Sequence, residues 1–123
     1  MILADTSIWV DHLHRGDARM AGLLDDEEIL IHPLVIGEIA LGNLRNRAEI
    51  MDRLRQMPSA ARADDEEVLA LIERHKMFGT GIGLVDAHLL ASTLLAPETR
   101  LWTRDRRLRE VAERLGIAAE RGA

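Results

Sequence analysis

Met1-Ile2-Leu3-Ala4-Asp5-Thr6-Ser7-Ile8-Trp9 opens the chain and decides how the rest is read. Its first four residues are all apolar, as in a short strand of a parallel sheet covered on both faces. The run stops at Asp5, Thr6 and Ser7, whose side-chain oxygens suit the first turn of a helix. Ile8, Trp9, Val10 and Leu13 then recur at helical spacing. A strand therefore hands over directly to a helix. Glu28-Ile29-Leu30-Ile31-His32 followed by Pro33 repeats the pattern, since proline is accommodated at a helix start. Arg100-Leu101-Trp102-Thr103 followed by Asp105 repeats it again.

Working outward, helices are expected over 18–25, from Pro33 to about Leu41, over 46–56, from Asp64 to about Lys76, over Leu84–Ala96, and after Asp105. The last places Leu108, Val111, Ala112 and Leu115 inward. Gly16-Asp17, Gly42-Asn43, Pro58, Pro97 and Gly116 punctuate them. Residues 59–63 read as a short, weak strand and 117–119 as a last one. Strands alternating with helices predict a parallel sheet with helices on both faces. No linker divides residues 1–123, so one domain is expected.

Composition narrows the chemistry. Cysteine is absent, which excludes disulfides, zinc–thiolate sites, iron–sulfur clusters and cysteine nucleophiles. No stretch approaches the ~20 apolar residues of a membrane span, and the start lacks a basic leader, so a cytoplasmic protein is expected. All but one of the 16 basic residues, Lys76, are arginine. That bias reflects either a GC-rich genome or phosphate binding by planar guanidinium groups. The net charge is −5, although residues 99–123 carry seven arginines, Arg121 among them, against four acids. Taken whole, that acidity speaks against a nucleic-acid ligand.

Four of the 21 acids stand in apolar surroundings: Asp5, Glu38, Asp86 and Asp105. Unpaired carboxylates are costly there. Asp5, Asp86 and Asp105 could each be a helix cap, and a buried arginine could pair with Glu38. The topology gives another reading, since open parallel sheets build sites beyond the carboxyl ends of their strands. Asp5 and Asp105 stand at such ends, and Glu38 and Asp86 are expected in first helical turns nearby. Four converging carboxylates would hold a hard cation, Mg²⁺ or Mn²⁺, suited to phosphoryl chemistry.

Four stretches carry a family resemblance. They are Asp5-Thr6-Ser7-Ile8-Trp9, Gly37-Glu38-Ile39 with Gly42, Gly83-Leu84-Val85-Asp86-Ala87-His88-Leu89-Leu90, and Leu101-Trp102-Thr103-Arg104-Asp105. In this order and spacing they resemble the PIN-domain ribonucleases, above all the VapC toxins of bacterial toxin–antitoxin pairs. The resemblance implies a three-layer α/β/α sandwich with a central parallel sheet of four to five strands. It implies an endoribonuclease that uses one or two Mg²⁺ or Mn²⁺ ions and cleaves structured RNA, tRNA or rRNA, by attack of metal-activated water on a phosphodiester. A homodimer and a cognate antitoxin protein are implied too. The family's metal ligands map onto Asp5, Glu38, Asp86 and Asp105. Its polar residue beside the last acid maps onto Thr103, and its hydroxyl after the first acid onto Thr6 or Ser7.

Arg104, Arg106 and Arg107 flank the last acid and are candidates for RNA phosphates, or else solvated charges at a helix start. Helices 18–25 and 46–56 are candidates for antitoxin docking. His12, His14, His32, His75 and His88 read as surface or packed residues. Gly79-Thr80-Gly81-Ile82-Gly83 lacks the phosphate-loop pattern. Three rival readings stand beside the resemblance. A phosphoacceptor receiver domain needs a late lysine, whereas Lys76 precedes the glycine loop. A haloacid-dehalogenase-type phosphatase opens on Asp-x-Asp, whereas Asp5 is followed by Thr6 and Ser7. A catalytically inactive PIN-fold binding module has no need of all four acids.

Overall fold

A computed structural model describes residues 1–120; Arg121 and the last two residues of the expected domain lie outside it. The opening apolar run forms β1 (Ile2–Ala4), with β2 (Ile29–Leu30) on one side and β3 (Arg100–Trp102) on the other. Both pairings are parallel, with Leu3 opposite Leu30 and Leu101, and Ala4 opposite Trp102. Leu3, Ala4, Ile29 and Leu101 are fully or almost fully buried, as the uninterrupted apolar runs require.

The sheet of the described residues has three strands, not the expected four to five. The two missing strands are present only as single-residue bridges, Ile31 to Ser59 and Leu101 to Ala118, both parallel. Around Ile31, its N–H donates to Pro58 O at 2.9 Å and Ala60 N–H donates to its carbonyl at 2.8 Å. Around Leu101, the partners are Ile117 O and Ala119 N–H, each at 2.8 Å. Neither ladder grows. Pro58 has no N–H to offer, and within a few residues Asp64 has begun to cap the next helix.

The helices of the described residues are α1 (Thr6–Arg15), α2 (Ala18–Asp25), α3 (Pro33–Ala40), α4 (Arg47–Gln56), α5 (Asp65–Arg74), α6 (Leu84–Leu94) and α7 (Arg106–Arg114). Side chains set most of their starts. Asp17 accepts from Met20 N–H at 2.8 Å to open α2. Asp64 and Glu67 form a reciprocal capping box on α5. At α3 the cap is His32, whose Nδ1 accepts from Leu34 N–H at 3.0 Å. Gly16, at φ +74°, ends α1 in a conformation glycine adopts without strain. Helix α1 packs on α3 and α3 on α4, while α5 packs on α6, which lies along β3. From Ala87 to Thr93, α6 is buried on every side. Its Leu89 and Leu90 join Ile8, Val35 and Leu108 in the core, each contributing about 1.5–3 kcal/mol by leaving water.

Candidate active site

The carboxyl ends of β1 and β3 lie side by side, and the chain leaves both into helices. Asp5 follows β1 directly and is buried. Its Oδ1 accepts from Ile8 N–H at 3.2 Å, which makes it the N-cap of α1, and from Ser7 Oγ at 2.5 Å. Its Oδ2 accepts a short hydrogen bond from Thr103 Oγ1, just beyond β3. Thr103 is buried as well, and its oxygen accepts from Asp105 N–H at 2.9 Å. Asp105 caps α7 through Oδ1, which accepts from Arg107 N–H at 2.9 Å and Leu108 N–H at 3.1 Å. Capping and a place in the acidic cluster are thus compatible, because a cap occupies only one oxygen of the carboxylate.

The other two acids come from helices. Asp86 lies in the first turn of α6, and its Oδ2 accepts from Gly83 N–H at 3.4 Å. Glu38 stands in the second turn of α3, not the expected first, because that helix already begins at Pro33. It is exposed, and its partner is Thr6, whose Oγ1 donates to Oε1 at 2.5 Å. Among the described residues no arginine pairs with Glu38. Among the described residues none of the four acids is in an ion pair.

The four acids share one electrostatic field. Burial pushes Asp5 above the ordinary carboxylate range, and the donors Ser7, Thr103 and Ile8 pull it back in part. Asp86 is also raised. Burial is the main cause, opposed by the Gly83 N–H and reinforced by the charges of Asp105, Asp5 and Glu38. No three of these side chains close to metal-coordinating spacing among the described residues. What they offer is a set of oxygen donors that feel one another's charge and, among the described residues, have no paired cation. That fits a hard divalent ion.

The three candidate arginines divide. Arg104 is tied up, donating to Asp11 of α1 and to Asp17, each at 2.5 Å. Arg106 and Arg107 line an open depression with Asp105, Thr80 and Glu110. Arg106 pairs there with Glu110 at 3.1 Å, one turn along its own helix. Arg107 lies flat on Gly81, where a Cβ would sit 3.0 Å from its Cδ. The glycine loop, dismissed as a phosphate cradle, therefore borders the site after all. It carries the Gly83 N–H that holds Asp86 and the bare Gly81 backbone that seats Arg107. His32 and His88 lie elsewhere, packed edge to face in the core with ring centroids 6.2 Å apart.

Sequence reasoning had no sign of the Asp11–Arg104–Asp17 arrangement, since its members lie 93 and 87 residues apart.

Comparison with known proteins agrees with this architecture. The family model of the PIN domain matches residues 2–114. The ribonuclease VapC32 of Mycobacterium tuberculosis, strain H37Rv, is 45% identical over 118 residues, covering 96% of this chain and 95% of the relative. The same protein of strain CDC 1551 / Oshkosh matches equally. Among solved structures, FitAB bound to an IR36 DNA fragment superposes with a TM-score of 0.61 at 20% identity, over 96% of this chain and 92% of the other, which shows a shared fold.

Proposed function

The chain belongs to the PIN-domain family, alongside the VapC ribonucleases, and on that premise we propose that it is a toxin endoribonuclease dependent on Mg²⁺ or Mn²⁺. The observation that carries the metal dependence is the acidic cluster, with its buried Asp5, its oxygen-only donors and, among the described residues, no paired cation. Asp5, Asp86 and Glu38 would hold one or two ions. Asp105, with Oδ1 committed to its cap, would act through its remaining oxygen. Bound there, a divalent ion supplies Lewis acidity toward a phosphodiester and toward water.

The remaining work falls to the chain's own residues. Ser7 and Thr103 donate to both oxygens of Asp5 and favour its ionised form despite burial. Thr6 donates to Oε1 of Glu38 and so orients that side chain. Arg106 and Arg107, which line the depression beside Asp105, would meet RNA phosphates flanking the scissile bond. The net charge of −5 is then no obstacle, since substrate meets the field at the strand ends with cations bound, not the sum over the surface.

The finer reading follows the VapC resemblance: a structured RNA such as tRNA or rRNA as substrate, a cytoplasmic site of action, a homodimer, and a cognate antitoxin. For the antitoxin, the face that includes α4 offers a hollow lined by Leu13, His14, Leu44, Asn46 and Ile50. The test is to incubate purified protein with total RNA and Mn²⁺ and to sequence the 5′ ends produced. Discrete cleavage that EDTA abolishes and Asp5→Asn lacks is expected. Cleavage indifferent to EDTA, or none with either metal, would overturn the proposal.

A further inference from the structure

Arg104 was expected to contact RNA, yet its side chain is already spoken for. One guanidinium nitrogen donates to Asp11 Oδ2 and the other to Asp17 Oδ2, each at 2.5 Å. Asp11 lies on α1, and Asp17 is the residue that opens α2. The guanidinium therefore spans the corner where the two helices meet. Side-chain exposure is 39% for Arg104, 31% for Asp11 and 19% for Asp17, so this is not a freely solvated surface pair. Below it, the guanidinium carbon lies 5.9 Å from the Trp102 ring, and that of Arg19, from α2, lies 4.5 Å from the same ring.

The backbone of the same residue faces the candidate site. Arg104 N–H donates to Ser7 Oγ at 3.0 Å, and Ser7 in turn donates to Asp5. The neighbours on either side are Thr103, bonded to Asp5, and Asp105. Position 104 is thus held twice, by its main chain to the acid cluster and by its side chain to the α1–α2 corner. A phosphate that recruited this guanidinium would have to break two charge-assisted hydrogen bonds first.

We propose that Arg104 is a positioning residue: by bridging Asp11 and Asp17 it pins the Thr103–Asp105 turn at the end of β3, and so keeps Thr103 and Asp105 in register with Asp5. The role assigned here rests on the ribonuclease reading; the pin itself does not. Asp17 sits below the ordinary carboxylate range, mainly through Met20 N–H and then through Arg104, as expected for an ionised partner of a permanent cation.

Two measurements test it. The first needs neither metal nor RNA. In Arg104→Met, hydrogen exchange of the amides at positions 104 and 105 should accelerate about tenfold or more, because the turn that carries them is no longer held against Ser7. Unchanged exchange overturns the pin. The second is steady-state cleavage of an RNA substrate with Mn²⁺. Arg104→Met should lower kcat about tenfold or more while leaving KM and its salt dependence as in the parent. Asp17→Asn, which keeps the cap but loses the charge, should lower kcat in the same direction. Arg104→Lys, which can reach only one carboxylate at a time, should fall between Met and the parent. A raised KM with a shallower salt dependence and unchanged kcat would make Arg104 an RNA contact and overturn the proposal. Unchanged kinetics would overturn it also. If Arg104→Met does not fold, Asp17→Asn carries both measurements. An inactive parent protein would sink the ribonuclease reading and leave the exchange result to decide the pin.

Discussion

Thr103 and Asp5 stand 98 residues apart in the chain, yet the threonine hydroxyl donates directly to Oδ2 of the buried aspartate. That bond exists because β1 and β3 are adjacent parallel strands ending at the same level. Thr103→Val keeps the shape but removes the hydroxyl. It leaves a buried carboxylate short of one donor and Asp105 N–H short of its acceptor. The variant should lose about 1–3 kcal/mol of stability in urea unfolding and cleave RNA more slowly. Thr103→Ser, which keeps the donor, should restore most of both.

Asp5→Asn separates stability from activity. Asparagine still caps a helix. It also removes a carboxylate whose ionisation is disfavoured by burial. Thermal unfolding without metal at pH 7 should therefore show a melting temperature equal to or above the parent's. Mn²⁺-dependent cleavage should fall by a factor on the order of a hundred or more. A large loss of stability with activity retained would mean that Asp5 is only a cap.

The pH dependence of metal stabilisation follows from the raised positions of Asp5 and Asp86. A carboxyl whose folded-state value lies above its unfolded one stabilises the fold while protonated. That contribution is lost as pH rises through the folded value. The metal-free protein is thus penalised at neutral pH, where the carboxylates are ready to bind. Mn²⁺ at 100 times its Kd should add about 2.7 kcal/mol. The gain should be larger at pH 7 than at pH 5, as read from melting temperatures with and without EDTA.

His32 produces the opposite slope. Burial, then the charges of Arg62 and His88, lowers its pKa from 6.5 to about 4. The folded protein resists a proton that the unfolded chain accepts. Its contribution is complete above pH 6.5 and is lost as pH falls toward 4, roughly 3 kcal/mol in all. His32→Asn, which can still cap α3, should flatten that part of the curve when urea unfolding is compared between pH 7 and pH 4.5.

Most of the fold was legible because its signals are local. Asp5, Asp17, Asp64 and Asp105 announce helix starts through their own side chains, and apolar runs announce β1 and β3. The outer strands were overestimated because residues 59–63 and 117–119 carry strand-like composition, while the length of a ladder depends on the neighbour it meets. The candidate acids stood out because carboxylates in apolar stretches need an explanation. The turn of α3 that carries Glu38 was misplaced by one, since a helix beginning at Pro33 puts it sixth. The ion pairs of Arg104 were out of sight for a different reason. Its partners Asp11 and Asp17 are ordinary acids on a polar face, and only the closure of β1 against β3 brings them within reach.

That closure also sets when the protein becomes competent during synthesis. One acid of the cluster comes from residue 5 and another from residue 105 of 123. The strand that delivers the second pairs in parallel with the strand that delivers the first, a contact of high sequence separation and slow to form. A growing chain on the ribosome therefore holds no complete set of acids until residue 105 has been added. Topology alone thus keeps the four acids from coming together in a partly made chain.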